Sequence, residues 1–207
     1  MLKKGLLVLI LAALVAGGAF AFDMSAGGGA VLGYNFGGGL EEKGILPERT
    51  EFPSFSIGAF GFIDLTYIEA SVGFLYNPGD MKVTIPGFGS ASVDFNTTSL
   101  FFSLLGKYPI DLGFLTVFPA AGIEYQLVLS AKMAGINAND AGDLSALWFR
   151  LGGGLDFSLG GGMYIRGTAL YGLRLNNKFE KDIAQLFDEN RKMGHGIQIR
   201  AAIGFNF

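Results

Sequence analysis

The sequence of 207 residues lacks cysteine and contains a single histidine. The missing cysteine excludes disulfide bonds, thiolate metal sites and a lipid-modified amino-terminal cysteine. Charged residues make up only 16% of the chain, and acids outnumber bases, for a formal net charge of −3. This acidic balance argues against nucleic acid as a partner, because proteins that bind nucleic acid carry clustered Lys and Arg. After roughly the first 20 residues, no run reaches the ~18 apolar residues that a membrane-spanning helix requires.

Glycine and phenylalanine, by contrast, are abundant. The chain has 33 Gly and 20 Phe residues, and half of all its residues are hydrophobic. Glycine permits close approach of neighbouring strands, and an aromatic, weakly charged surface is typical of strands that face lipid. The composition therefore favours β-structure with an apolar exterior.

The amino-terminal segment has the three regions of a secretory signal peptide. Two lysines precede an apolar stretch at residues 5–15, and the small-x-small sequence Ala19-Phe20-Ala21 comes just before Phe22. We therefore predict a cleaved signal peptide at residues 1–21 and a mature domain at residues 22–207. The alternative is a retained membrane anchor, since the apolar run is nearly long enough to span a bilayer.

The closing stretch, residues 197–207, alternates strictly between apolar and polar or small side chains. A period of two residues is that of an extended strand with two unlike faces. This strand resembles the closing strand of bacterial outer-membrane β-barrel proteins, in which a terminal Phe and alternate apolar residues serve as the assembly signal. The positions that fit this pattern are Ile199, Ile203, Phe205 and Phe207. The resemblance implies recognition by the barrel-assembly machinery, whereas a soluble strand with its polar face in water is the alternative.

Similar alternation recurs along the chain and predicts eight strands, at residues 26–36, 54–63, 68–76, 98–108, 115–129, 147–159, 163–175 and 197–207. Short turns are expected at about 64–67, 109–113 and 160–162, and long loops at about 37–53, 77–96, 130–144 and 176–196. A sheet inside a bilayer must close on itself, because no water is present to satisfy edge hydrogen bonds. Alternating long loops and short turns place all turns, and both termini, at one rim of the barrel.

The mature chain as a whole therefore resembles small eight-stranded outer-membrane barrels of the OmpA transmembrane-domain and OmpX type. The expected fold class is all-β: an eight-stranded antiparallel transmembrane β-barrel with short periplasmic turns and long extracellular loops. The resemblance implies a location in the bacterial outer membrane and contact with outer-membrane lipid. A soluble periplasmic barrel is the alternative fold.

Two positions in these strands depart from the simple pattern. In the second strand, Phe55 and Ile57 occupy odd positions, whereas Phe60 and Phe62 occupy even positions. Either a bulge shifts the register between them or one aromatic pair points inward. In the fifth strand, Pro119 cannot donate a backbone hydrogen bond, which predicts a bulge or a lost ladder bond.

Two loops contain patterns of their own. Residues 81–85 and 91–95 are expected to pair as a hairpin beyond the membrane. In the last loop, apolar residues at helical spacing predict a short amphipathic helix: Phe179, Ile183, Leu186 and Phe187. An ordered loop that covers its own apolar face is the favoured explanation of such a helix, and a dedicated binding helix is the alternative.

The predicted inward face carries eight charged residues: Glu69, Lys107, Glu124, Arg150, Asp156, Arg166, Arg174 and Arg200. The interior of an eight-stranded barrel is just wide enough to be filled by side chains, so charges there must be paired. We expect a structural salt-bridge network that plugs the lumen. A narrow ion path or a switchable gate is the functional alternative.

The expected function is a non-enzymatic outer-membrane protein whose barrel displays surface loops for adhesion, partner binding or envelope integrity. One alternative is a narrow channel or transporter for small solutes. Another is a lipid-modifying enzyme that uses His195, the only histidine, at the loop end of the last strand. No cofactor or metal site is expected, and the glycine triplets lack the Lys-Ser or Lys-Thr of a phosphate-binding loop. An extracellular ligand at the loops is the expected specific partner.

Overall fold

The computed structural model describes residues 23–41, 49–85, 89–133, 136–137, 145–177, 190–191 and 194–207. The predicted signal peptide and the predicted helix around Ile183 lie outside these residues. The described part of the chain contains no helix long and apolar enough to cross a membrane.

The described residues form twelve strands: β1 (Met24–Glu41), β2 (Arg49–Leu65), β3 (Ile68–Asn77), β4 (Asp80–Ile85), β5 (Gly89–Lys107), β6 (Ile110–Asp111), β7 (Leu115–Met133), β8 (Ile136–Asn137), β9 (Ala146–Gly160), β10 (Met163–Asn177), β11 (Asn190–Arg191) and β12 (His195–Asn206). Eight of them, β1, β2, β3, β5, β7, β9, β10 and β12, build the barrel, and the other four extend its rims.

Each barrel strand pairs in antiparallel fashion with the next, and β12 returns to pair with β1. The closing ladder runs from Ser25↔Asn206 to Asn35↔Gly196 without interruption. Glycine allows this close approach, because a Cβ on Gly29 would overlap the carbonyl oxygen of Ala201. The predicted fold class, a closed eight-stranded antiparallel barrel, is confirmed for the described residues.

The three short connections lie at one rim, which we call the turn end; the opposite rim is the loop end. Left-handed backbone explains the glycines of these turns, with φ of 85°, 61° and 80° at Gly160, Gly161 and Gly162 and 93° at Gly113. Thr66 adopts φ 62° without being glycine, and its hydroxyl donates a hydrogen bond to the carbonyl of Asp23 at 3.1 Å. The Asn206 amide, which ends β12, donates to the Gly162 carbonyl at 2.8 Å, so both ends of the barrel sequence meet the tight turns at one rim.

The strands extend beyond the predicted bounds at the loop end. Leu40↔Thr50 pairing carries β1 and β2 into the segment predicted as the loop 37–53, which is wrong in that part. Charged residues indicate exposure to water, but they do not mark the end of a strand. An antiparallel ladder can continue beyond the membrane as long as its partner strand continues. The predicted hairpin is present, because β4 pairs with β5 through Val83↔Ala91 and Met81↔Val93.

The two irregular positions follow the regular register. Pairing of β1 with β2 continues from Met24↔Leu65 to Phe36↔Pro53, so no bulge separates Ile57 from Phe60. Phe60 and Phe62 are buried inside the barrel, as the second alternative predicted.

Of the two alternatives predicted at Pro119, the bulge is wrong, because Pro119↔Gly153 lies in a continuous ladder with β9. The lost ladder bond agrees with the structure, because the pairing of β5 with β7 ends at Lys107↔Ala120. The Pro119 carbonyl accepts from the Tyr108 amide at 3.2 Å. Pro119, which has no N–H to donate, therefore lies beside the segment just after β5 ends at Lys107. The register of β5 against β7 shifts instead at Thr98/Ser99, towards the loop end.

The distribution of polar and apolar side chains in the barrel is the reverse of that in a soluble protein. In β12, Ile199 is 55% exposed and Ile203 49%, while Arg200 between them is only 2% exposed. The same alternation holds in the other barrel strands, where large apolar side chains point outward and polar, charged or aromatic ones point inward. Exterior aromatic pairs lie at both rims: Tyr67 with Tyr108 at the turn end, and Tyr34 with Phe36 at the loop end. This arrangement is typical of a barrel that faces lipid.

Candidate functional site

The interior is centred on the carboxylate of Glu124, which projects inward from the middle of β7 and is completely buried. One of its oxygens accepts from Arg150 and, at 2.9 Å, from Gln126. The other accepts from Nη2 of Arg200 at 2.8 Å. Two guanidinium groups and an amide thus surround one carboxylate, which satisfies a buried charge that would otherwise be very costly.

Arg200 links this centre to the next carboxylate. Its Nε donates to Gln198 at 2.8 Å and its Nη1 donates to Ser71 at 3.1 Å. The same Nη1 lies 3.6 Å from Oε1 of Glu69. Arg200 therefore spans the lumen from β12 to both β7 and β3.

Arg166 forms the second centre, nearer the turn end. Its Nε and Nη2 bind both oxygens of Asp156, at 2.7 and 2.6 Å, in a fork geometry that suits a carboxylate. Its Nη1 donates to Glu69 at 2.7 Å, and its Nη2 lies 2.6 Å from Asp64. Asp64 also pairs with Lys107. Arg166 therefore contacts carboxylates from three strands, β2, β3 and β9.

These contacts join into one lumen network, which runs from mid-barrel to the turn end and contains, among the described residues, Arg150, Glu124, Arg200, Glu69, Arg166, Asp156, Asp64 and Lys107. Seven of them are in the set predicted from the sequence. Arg174 lies closer to the loop end, with its guanidinium carbon 5.9 Å from the centre of the Trp148 ring. Asp64 is absent from the predicted set because the sequence pattern assigns it to a turn. It nevertheless lies on the same inward face of β2 as Phe60 and Phe62.

Aromatic rings enclose the two central arginines. The Arg166 guanidinium lies 4.8 Å from the ring centre of Phe62, 5.2 Å from Phe118 and 5.1 Å from Tyr164. Arg200 lies 5.4 Å from Phe60 and 5.2 Å from Phe101. Cation–π contact of this kind is strongest where water is excluded. The inward aromatic pair of β2 thus packs against the lumen network.

Apolar side chains fill the rest of the cross-section. Phe101 is inaccessible to solvent, and Leu75, Leu105 and Leu170 are each no more than 2% exposed. A barrel of this size has room only for its own interior side chains. The described interior therefore forms a packed plug of charges and rings.

His195 lies outside this network, at the loop end of β12. Its ring stacks on Phe36 with centroids 5.2 Å apart and lies 6.0 Å from Tyr171. Within the described residues, its Nδ1 has no hydrogen-bond partner. The ring of His195 therefore forms part of an aromatic cluster at the loop end.

Three solved structures of bacterial proteins align with most of this chain. The chain aligns with Neisserial surface protein A at a TM-score of 0.52 and 10% identity, covering 89% of this chain and 97% of the other. Ail, the attachment invasion locus protein of Yersinia pestis, gives 0.43 at 12% identity, covering 91% and 100%. The N-terminal β-barrel domain of Pseudomonas aeruginosa OprF gives 0.32 at 15% identity, covering 87% and 99%.

The similarity to Neisserial surface protein A shows the fold, whereas the TM-scores of the other two alignments are below 0.5. No protein-family model and no curated protein matches the sequence. The inverted polarity, the closed eight-stranded ladder and this similarity agree with one another. The chain has the fold of a small outer-membrane β-barrel.

Proposed function

We propose that this chain is a non-enzymatic, integral outer-membrane protein whose closed barrel is a rigid support for the connections at its loop end. Those connections would face the cell exterior and carry the specific role: adhesion, binding of an extracellular partner, or envelope integrity. Function is commonly located on loops that a rigid scaffold positions. The exposed band of aliphatic and aromatic side chains supports outer-membrane lipid as the surrounding partner.

The observation that carries this proposal is the filled lumen. Glu124, Arg200 and Phe101 are all almost completely buried at the middle of the barrel. Because each charge in the lumen network already has an opposite charge beside it and side chains fill the cross-section, the centre of the barrel offers no hydrated route.

Conductance of the purified full-length chain in a planar lipid bilayer tests this closed scaffold. We expect no discrete ohmic step at moderate voltage, since no continuous water path crosses the packed centre. The Asp94→Asn variant, altered at an exposed position of β5, is the matched control and should behave in the same way. A reproducible step in the unmodified protein would refute the proposal.

A narrow ion path is the second candidate, and the continuity of the lumen network from mid-barrel to the turn end favours it. Rearranged ion pairs would have to open a passage along this chain of charges. In that case, the unmodified protein would show a step, and Glu124→Gln or Arg166→Gln would change its size or abolish it. Asp94→Asn would leave the step unaltered.

The enzymatic alternative uses His195. A lipid-modifying activity would instead change the mass of lipid A in cells that express the protein, and His195→Ala would remove that change. We also propose that the barrel assembles through β12, with Ile199, Ile203, Phe205 and Phe207 as the signal.

A further inference from the structure

The connection between β5 and β7 differs from the other connections at the turn end, because it continues the barrel ladder. Pairing runs from Lys107↔Ala120 in β5 to Ile110↔Val117 in β6, which is three residues further along each strand. A hydrogen bond from the Leu112 amide to the Leu115 carbonyl, at 2.8 Å, closes this hairpin. We call residues 108–114 the β6 tip. Because the ladder holds its backbone in register, the alternation of β5 continues into the tip.

One face of the β6 tip is apolar and exposed. Tyr108, Ile110 and Leu112 continue the outward row of β5, and each is 45–64% exposed. Phe114, in the turn itself, is 67% exposed and packs edge-on against the outward ring of Phe157, with centroids 5.9 Å apart. The tip therefore extends the apolar exterior of the barrel without a break.

This apolar face reaches beyond the aromatic residues that mark the rim. The rings of Tyr67 and Tyr108 lie 6.4 Å apart on the exterior of the turn end. Tyrosine is enriched at the level of lipid headgroups, and the apolar band of a transmembrane barrel ends at such a girdle. Past the girdle, polar side chains or bare backbone in water are expected, and the other two turns have Thr66 and Gly161 there. The β6 tip instead places further apolar side chains past Tyr108.

The backbone of the tip also suits lipid. The Lys107 amide donates to the Tyr67 carbonyl at 2.9 Å, and within the described part of the chain β6 pairs with β7 alone. Alternate residues of a strand direct their N–H groups to the same edge, so Pro109 occupies the next donor position on the edge beside Tyr67. Proline has no N–H. An unpaired N–H group is costly in lipid, where no water can satisfy it, and proline removes that group here.

The opposite face of the β6 tip is polar. Lys107, Asp111 and Thr116 line a cavity at the turn end. The Asp111 carboxylate also accepts from the Gly113 amide at 2.8 Å, which holds the turn. A segment with one apolar and one polar face is suited to the plane of a membrane interface, with only the apolar face in lipid.

We propose that the β6 tip is an interfacial anchor that binds the phospholipid leaflet at the turn end. Ile110 lies among the lipid, and Leu112, nearer the end of the tip, lies at the hydrated headgroup level. Phospholipid is the partner because the apolar face of the tip is continuous with the barrel exterior that meets lipid. This inference therefore rests on the membrane location in the proposed function. Lipid extends further along this hairpin than along the other two turns.

Fluorescence quenching in phosphatidylcholine vesicles tests this inference on the full-length chain, which has no cysteine of its own. Ile110→Cys, Ser158→Cys and Ile123→Cys each carry the dye NBD on the introduced thiol. Ser158 is the matched control, because its amide bonds to the Phe114 carbonyl at 3.0 Å while its exposed side chain lines the cavity. Ile123, on the outward face of β7, reports the lipid-facing surface of the barrel.

Doxyl-labelled phosphatidylcholine should quench the dye at Ile110→Cys at least twice as strongly as the dye at Ser158→Cys. Iodide present on both sides of the vesicle should quench it at most half as strongly. Equal quenching at these two positions would overturn the anchor, since the tip would then lie in water. Lipid quenching at Ile123→Cys but not at Ile110→Cys would overturn the anchor alone. Absence of lipid quenching at both would overturn the membrane location as well.

Discussion

Glu124 is the residue on which the interior depends most. Its carboxylate touches Arg150 and Arg200, and both guanidinium groups are at most 2% exposed. Removing one partner of such a pair costs far more stability than replacing both partners by apolar residues, because the remaining charge stays buried without its partner. One carboxylate here compensates two cations, so its loss affects strands β7, β9 and β12 together.

The Glu124→Gln variant should lower the free energy of unfolding by about 3–5 kcal/mol, the usual result of removing one member of a buried ion pair. The side chain keeps its shape but loses the charge that Arg150 and Arg200 require. Urea titration of the detergent-refolded protein, followed by the gel shift between folded and heat-unfolded forms, measures this change. Asp94→Asn should change the same quantity by no more than ~0.5 kcal/mol, as exposed substitutions usually do. A loss below ~1 kcal/mol for Glu124→Gln would contradict the role assigned to Glu124.

At the scale of elements, the strand β12 closes the barrel. It pairs with β10 on one side and β1 on the other, and its outward face carries Ile199, Ile203 and Phe205. Phe207 follows the strand; its amide donates to the Met24 carbonyl at 2.9 Å, while its side chain is 77% exposed. The ring therefore contributes little to folded packing, which leaves recognition during assembly as its proposed role.

Phe207→Ala should consequently reduce the amount of folded barrel in cells several-fold while leaving the stability of refolded protein within ~0.5 kcal/mol, as expected for an exposed side chain. Removing the ring keeps the amide that bonds to Met24 but removes the aromatic group of the proposed assembly signal. Heat-modifiable gel mobility of membrane fractions gives the first quantity, and urea titration gives the second. Leu112→Ala, at another exposed apolar side chain of the turn end, is the control and should change neither. Equal cellular yields of Phe207→Ala and unmodified barrel would count against the signal.

At the scale of the whole molecule, the two rims are unlike. One carries tight turns with glycine in left-handed backbone, and the other carries long strand extensions such as the β4–β5 hairpin. In the proposed orientation, the turns face the periplasm and the extensions face the exterior. The absence of cysteine makes this orientation directly measurable, because a single introduced thiol has no background.

Labelling of intact cells with a membrane-impermeant maleimide should modify Asp94→Cys and spare Leu112→Cys. Asp94 is exposed near the loop end of β5, while Leu112 is 58% exposed in the turn between β6 and β7. Permeabilising the outer membrane should make Leu112→Cys reactive as well, and the cysteine-free parent supplies the blank. The reverse pattern would place the turns outside the cell.

Much of the fold could be predicted from the sequence, because a two-residue period is a local property. Alternation placed Ile199 and Arg200 on opposite faces of one strand, and the resemblance to outer-membrane barrels predicted which face points outward. Alternating segments separated by short turns and long loops predicted the number and order of the strands. Composition was less informative about where pairing ends, as the extension of β1 and β2 into a predicted loop illustrates. The reason is that a ladder continues whenever its partner strand does, whatever the charge of its side chains.

The sequence by itself therefore determined which residues share a face of each regular strand. The tertiary structure alone decided which of them meet: that Arg200 reaches Glu124 and Glu69, and that Asp64 leaves the predicted turn to join Lys107 and Arg166. These contacts join strands that are far apart in the chain. They depend on how the strands are staggered when the barrel closes, and that stagger is a property of the whole cylinder and of no single strand.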